Sequence, residues 1–171
     1  LKVLETDRLV LRDFSPDDAG FMLRLLNEPS FLHFIGDRGV RDLEQARQYI
    51  IDRIVSSYEQ FGFGLYMVEL ADSQEEIGTC GLIKREGMKD VEIGFAFLPE
   101  FWSRGYAVES AKAVMDYARR DLDLERVVAI ANPDNERSFR LLEKIGLRFE
   151  RMIQLSEKDP EIKLFTPYPH P

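Results

Sequence analysis

The chain has 171 residues, of which 44% are hydrophobic and 32% charged. That length suits one domain with a real core and excludes global disorder. Its 23 Lys and Arg against 31 Asp and Glu give a formal net charge of −8, and no basic block is present. Nucleic acid is therefore not an expected partner, because phosphate affinity needs clustered Lys and Arg.

Thr6 to Phe14 alternates around Leu9, Val10 and Leu11 and predicts a strand. Ser15-Pro16-Asp17-Asp18 is a helix start, with a Ser cap, Pro at the first position and acid in the first turn. Ala19, Met22, Leu23 and Leu26 follow on one helical face, and Asn27-Glu28-Pro29 ends it. Phe31 to Gly39 reads as an aromatic, Gly-containing loop. Asp42, with Gln45 three residues on, starts a second helix running to about Glu59. Gly64 to Leu70, Ile77 to Lys84 and Val91 to Leu98 predict three strands, joined as a meander because their turns are too short for crossovers. Pro99 stops the last of them.

Arg104-Gly105-Tyr106 leads into a helix with Ala107, Val108, Ala111, Val114, Met115 and Ala118 on its apolar face. Arg126 to Ala131 is a short, buried strand. Asn135 caps a helix with Ser138, Leu141, Leu142 and Ile145 on one face, ending at Gly146. Leu147 to Leu155 and Ile162 to Thr166 predict further strands, and Pro167 to Pro171 a frayed tail. The order is βααβββαβαβ with a further β at the end. It predicts a single α/β (α+β) domain over 1–171, with a mixed, mostly antiparallel sheet flanked by helices.

Cys80 is the lone cysteine, so no internal disulfide can form; with no signal-peptide pattern, a reducing, cytoplasmic setting is expected. The longest apolar run, Val127 to Ala131, is far below the ~20 residues that span a bilayer, so no membrane association is expected. His33 and His170 stand far apart, and no metal is expected.

The stretch from Val91 to Ala111 is strand, stop, Gly-bearing loop and helix start. A helix's first turn has unpaired N–H groups and the positive end of the dipole, so this is an anion cradle. Gly105 and the small Ala107 admit a phosphate to the backbone, and Arg104 adds a positive charge. The plainer alternative is a βα connection whose Gly relieves a tight turn. Any anion must be held there against a repulsive overall field.

A second segment, Asn132-Pro133-Asp134-Asn135-Glu136-Arg137-Ser138 followed by Leu142-Glu143-Lys144-Ile145-Gly146-Leu147, comes after the next strand. Together with Glu92-Ile93-Gly94, with Trp102-Ser103-Arg104-Gly105-Tyr106-Ala107-Val108-Glu109 and with the opening Glu5 to Arg12, it resembles the GNAT superfamily of acetyl-CoA-dependent N-acetyltransferases. The closer likeness is to the RimJ/RimL type, which acetylates ribosomal-protein N-termini. Leu147 stands where the family usually has Phe. The resemblance runs from about Glu5 to Arg151.

The resemblance implies acetyl-CoA as co-substrate. The strand Glu92 to Leu98 would splay from Arg126–Ala131 beyond a β-bulge and bond the pantetheine arm, bringing Phe95, Phe97 and Leu98 to the cofactor. Ser103, Arg104, Gly105, Tyr106, Ala107 and Val108 would wrap the pyrophosphate. Trp102, where the superfamily loop usually begins with Gln or Arg, would also meet the cofactor, and Asn132 and Asn135 would line the cofactor's other side. Asn135 is also an adequate helix cap, and Phe95 and Phe97 share a strand face that suits the core.

An amine attacks a thioester only when neutral. At pH 7 an α-amine with pKa about 8 pays about 1.4 kcal/mol for this and a lysine at about 10.4 pays about 4.6 kcal/mol. Glu92 is the candidate base, directly or through water; its alternative is a solvated strand end. A backbone N–H from Phe97 or its neighbours would hold the oxyanion. Many family members protonate the thiolate with a Tyr at the position of Leu142; here Ser138 is the candidate, ahead of Tyr106 and Cys80. His33, Asp37, Arg38 and Tyr58 fall in the region expected to meet the acceptor, an amine-bearing small molecule or protein N-terminus. A monomer or homodimer fits, and the alternative function is a non-catalytic acyl-CoA-binding module.

Overall fold

The computed structural model describes residues 1–169. The elements are β1 (Lys2–Glu5), β2 (Leu9–Asp13), α1 (Ala19–Leu26), α2 (Pro29–Phe34), α3 (Leu43–Tyr49), a π-helical stretch (Ile50–Val55) and α4 (Ser56–Phe61). They continue with β3 (Leu65–Leu70), β4 (Glu76–Ile83), β5 (Val91–Phe97), α5 (Tyr106–Arg120), β6 (Val127–Ala131), α6 (Glu136–Lys144), β7 (Leu147–Ile153) and β8 (Ile162–Pro167). Eight strands lie in the order β1-β2-β3-β4-β5-β6-β8-β7. Every neighbouring pair is antiparallel except β5 and β6, which the α5 crossover makes parallel. The mixed, mostly antiparallel sheet flanked by helices is thus the expected one.

The local signals explain the boundaries. Ser15 Oγ accepts from the Asp17 N–H while Asp18 accepts from the Ser15 N–H at 2.9 Å, a capping box at the entry to α1. Asp42 accepts from the Gln45 N–H at 2.8 Å and starts α3. From there the chain stays helical through Phe61, with Ala46, Ile50 and Ile54 buried. Gly62 ends it at φ +80°. Helix α5 packs on β4 and β5, sealing Ala111, Val114 and Ala118 against the sheet.

Four expectations need correction. The strand expected over Thr6 to Phe14 is β2 alone, preceded by a separate β1 that pairs with it as Glu5↔Val10. The loop expected over Phe31 to Gly39 opens inside α2, because Pro29 at the first helical position pre-sets the backbone for a helical turn. The frayed tail is tied down at its start: Pro167 pairs with Leu147, and the Tyr168 N–H donates to the Gly146 carbonyl at 3.0 Å. His170 and Pro171 lie outside the described residues. The bulge expected in β5 is absent, since its register with β4 runs unbroken from Gly78↔Phe97 to Ile83↔Glu92.

Candidate active site

The parallel contact between β5 and β6 is only Val91↔Val127 and Glu92↔Val128. Beyond it the strands part. β5 stays with β4, while Ala129, Ile130 and Ala131 of β6 pair with β8. The Leu98 N–H donates to the Ile77 carbonyl at 3.0 Å, so by antiparallel alternation Glu92, Gly94 and Ala96 turn their backbone groups to β4. Phe95 and Phe97 therefore turn theirs into the seam, where no strand faces them. The Phe97 carbonyl is taken by the Trp102 indole N–H at 2.9 Å. The Phe95 N–H and C=O and the Phe97 N–H are left as a strand edge inside the sheet.

The seam opens into a cleft of about 640 Å³. Its floor includes Phe95, Ala96 and Phe97; one side is the start of α5. Ser103 (φ +64°) and Gly105 (φ +83°) both adopt left-handed backbone, a cost Gly105 avoids by having no Cβ. No side chain caps α5, so the N–H groups of Tyr106, Ala107 and Val108 have no helical acceptor. The same three residues line the cleft, together with Trp102, Ser103 and Gly105.

The start of α5 is braced from behind. Glu109 accepts from the Thr6 hydroxyl at 2.5 Å, the Arg8 N–H at 3.0 Å and Arg8 Nε at 2.8 Å. Arg8 also donates to the Arg104 carbonyl at 3.1 Å and lies 4.5 Å over the Tyr106 ring. Burial pushes the Glu109 carboxyl up, but the hydrogen bonds from Thr6 and Arg8 outweigh it and hold the group below the usual 4.5.

Facing α5, the cleft is lined by Asn135, Ser138 and Leu141 and by Arg137, Arg140 and Lys144 of α6. Arg137 lies 4.3 Å over the Trp102 ring and donates to Ser103 Oγ at 3.3 Å. These three cations make no ion pair with a carboxylate among the described residues. The sequence reading missed them, although their i, i+3, i+7 spacing puts them on one helix face. Asn135 accepts from the Ser138 N–H at 3.4 Å, as a cap does. The Ser138 hydroxyl has no hydrogen bond among the described residues.

Other sequence candidates sit elsewhere. Glu92 is buried and paired with Arg85 Nε at 2.8 Å, neither a solvated strand end nor part of the cleft lining. Leu98 is a core residue. Arg104 points outward, its guanidinium 5.8 Å from the Phe101 ring. Asn132 is spent on a turn, accepting from the Asp134 N–H at 2.9 Å. Tyr58 is a clamp in the core: its hydroxyl accepts from the Phe14 N–H at 3.0 Å and donates to the Leu65 carbonyl, and its ring stacks on Tyr66. Burial pushes its phenol well above the ordinary value. His33 packs edge-on against Phe34 outside the cleft, and Asp37 pairs with Arg41. Cys80 is fully buried and its thiol is pushed up to about 12, which removes it as a proton donor to the cleft. Leu142, at the position where the resemblance would place a Tyr, is likewise core. Leu25, Phe31, Phe34 and Ile35 of the α1–α2 region line the cleft and were not singled out by the sequence.

The comparisons agree with this geometry. The sequence pattern of the acetyltransferase (GNAT) domain matches residues 8–148. The uncharacterized N-acetyltransferase YoaA of Bacillus subtilis (strain 168) is 31% identical over 153 residues, covering 89% of this chain and 86% of that protein. YkkB of the same organism is 30% identical over 154 residues, 88% of each. Among solved structures, an acetyltransferase from Agrobacterium tumefaciens superposes with a TM-score of 0.81 at 26% identity, over 97% of this chain and 93% of that one. RimL, a ribosomal L7/L12 alpha-N-protein acetyltransferase in complex with coenzyme A, shares the fold with a TM-score of 0.83 at 17% identity, over 97% of each chain. With a split sheet, an uncapped helix start beside it and a family match across most of its length, the chain belongs to the GNAT acetyltransferase family and is an acetyl-CoA-dependent acetyltransferase.

Proposed function

We propose that the cleft holds acetyl-CoA with its pyrophosphate on the first turn of α5 and its pantetheine arm along β5, and that the acetyl group passes directly to a primary amine in a ternary complex. The observation that carries this reading is the seam beside α5: a strand edge within the sheet suits an extended amide chain, and it leads to helix N–H groups that suit a diphosphate. Arg137, Arg140 and Lys144 supply the positive field that a chain of charge −8 otherwise lacks.

In the transfer, the neutral amine nitrogen bonds to the thioester carbonyl carbon, the C–S bond breaks, and the amine's surplus proton is balanced by the thiolate becoming a thiol. The Phe97 N–H is the donor for the oxyanion. Ser138, on the cleft with an uncommitted hydroxyl, is the group to protonate the sulfur. Glu92 reaches the amine only through water, because Arg85 holds it and it does not line the cleft. Such a site favours acceptors that are substantially neutral at working pH, α-amines over lysine side chains. A protein N-terminus fits this requirement, and so does a small amine whose pKa is lowered to the α-amine range.

Isothermal titration of coenzyme A into wild-type protein and Gly105→Glu tests the placement. The variant puts a carboxylate at the start of α5 and is expected to lose binding altogether; unchanged affinity would overturn the reading.

A further inference from the structure

The walls of the cleft differ in chemistry. The wall from α6 carries Arg137, Arg140 and Lys144, with the carboxylates Asp134 and Glu136 at or before the first helical position. The wall from α1 and α2 is Leu25, Phe31, Phe34 and Ile35, with Ser30 as its one polar member among the described residues. Phe31, Phe34 and Ile35 are at i, i+3 and i+4, so the short helix turns one apolar face inward while His33 stays out. Ile35 is 42% exposed, an apolar side chain left partly uncovered at the cleft.

We infer that this wall receives the substituent next to the acceptor nitrogen, and that the acceptor is a primary amine carrying an apolar, aryl or alkyl group rather than a polycation. The inference rests on the proposed acetyl-CoA site. A polyamine brings several ammonium groups, each needing a carboxylate once it leaves water, and α1 and α2 offer the cleft none. An apolar substituent gains from covering Phe31, Phe34 and Ile35. The same surroundings disfavour an ammonium over a neutral amine, which is the form that attacks.

The test uses the full chain saturated with coenzyme A for binding and with acetyl-CoA for thiol release. The acceptors are phenylalanine amide as a free small amine, a peptide beginning with Phe, and spermidine. At least tenfold higher kcat/KM, and tighter equilibrium binding, are expected for the two apolar acceptors over spermidine. The ratio between the peptide and the free amine tells which source the site serves. Ile35→Glu, at an exposed position that folding tolerates, is expected to shrink the preference below threefold with the acetyl-CoA KM within twofold of wild type; Phe34→Ser repeats the test inside the wall. Intact coenzyme A binding with equal or better use of spermidine overturns the inference alone. Failure of the wild-type protein to bind coenzyme A overturns the functional reading and the inference resting on it.

Discussion

Arg137 connects three parts of the cleft, since its guanidinium covers the Trp102 ring, reaches Ser103 and lies on the α6 wall. A charge-assisted bond to a phosphate oxygen is worth about 1–2 kcal/mol in a partly solvated site. Arg137→Ala is therefore expected to weaken coenzyme A binding by about 5- to 30-fold in a calorimetric titration. Ser138 differs in kind: its N–H is already bonded to Asn135 and only its hydroxyl is free to act. Ser138→Ala is expected to lower kcat at least tenfold while the acetyl-CoA KM moves less than threefold; wild-type turnover would remove it from the mechanism. What made residues legible in the sequence is visible in this pair. Gly105 and Asn135 carry local signals, a left-handed turn and a helix cap, which any single sequence displays. Arg137, Arg140 and Lys144 read as an ordinary solvated face until α5 is set opposite them. Tyr58 was misread because its partners, Phe14 and Leu65, come from other elements and only the fold brings them together. The solvated strand end weighed for Glu92 does not hold, because nothing in the spacing reveals that Arg85, seven residues earlier, occupies its buried carboxylate.

The start of α5 depends on a contact that reaches across 103 of the 171 residues in sequence. Thr6 and Arg8, in the turn between β1 and β2, grip Glu109 and through Arg8 also the Arg104 carbonyl. This joins the first hairpin to the helix whose first turn we propose to hold the diphosphate. Removing the carboxylate charge weakens several charge-assisted bonds, worth about 1–2 kcal/mol in sum for a partly exposed group. Glu109→Gln is expected to lower thermal stability at pH 7 by that amount. Because the folded-state pKa lies below the unfolded value, the stabilisation is present above about 4.5 and fades as the pH falls through the folded value. The gap between the two proteins should therefore close in melting curves taken below that range. The elements themselves were mostly readable. Capping and periodicity located α1, α3, α5 and α6, whereas β1, whose sole strand neighbour is β2 at the sheet edge, and α2, opened by a proline, depend on context.

At the scale of the molecule, a chain of net charge −8 sets Arg137, Arg140 and Lys144, none paired with a carboxylate among the described residues, on one helix beside one helix start, so it offers anions a local attraction within a repulsive overall field. Coenzyme affinity should accordingly fall with added salt, as interactions of partly exposed charges do. Among the described residues no helix is long and apolar enough to cross a membrane. The sheet is continuous in order yet joined at its middle by two residue pairs. Hydrogen exchange should show the Phe95 and Phe97 amides fast in the empty protein and slowed once coenzyme A is added. At a ligand concentration 100 times Kd, unfolding should cost about 2.7 kcal/mol more. The two-pair junction has a kinetic corollary as well. Until the coenzyme lies between β5 and β6, the edge that β5 turns to the seam beyond those two pairs has no strand beside it, so the surface against which a nucleophile must settle is unfinished. Turnover is then expected to be ordered, with thioester first and nitrogen second; steady-state kinetics in which an excess of amine blocks the empty enzyme would contradict this.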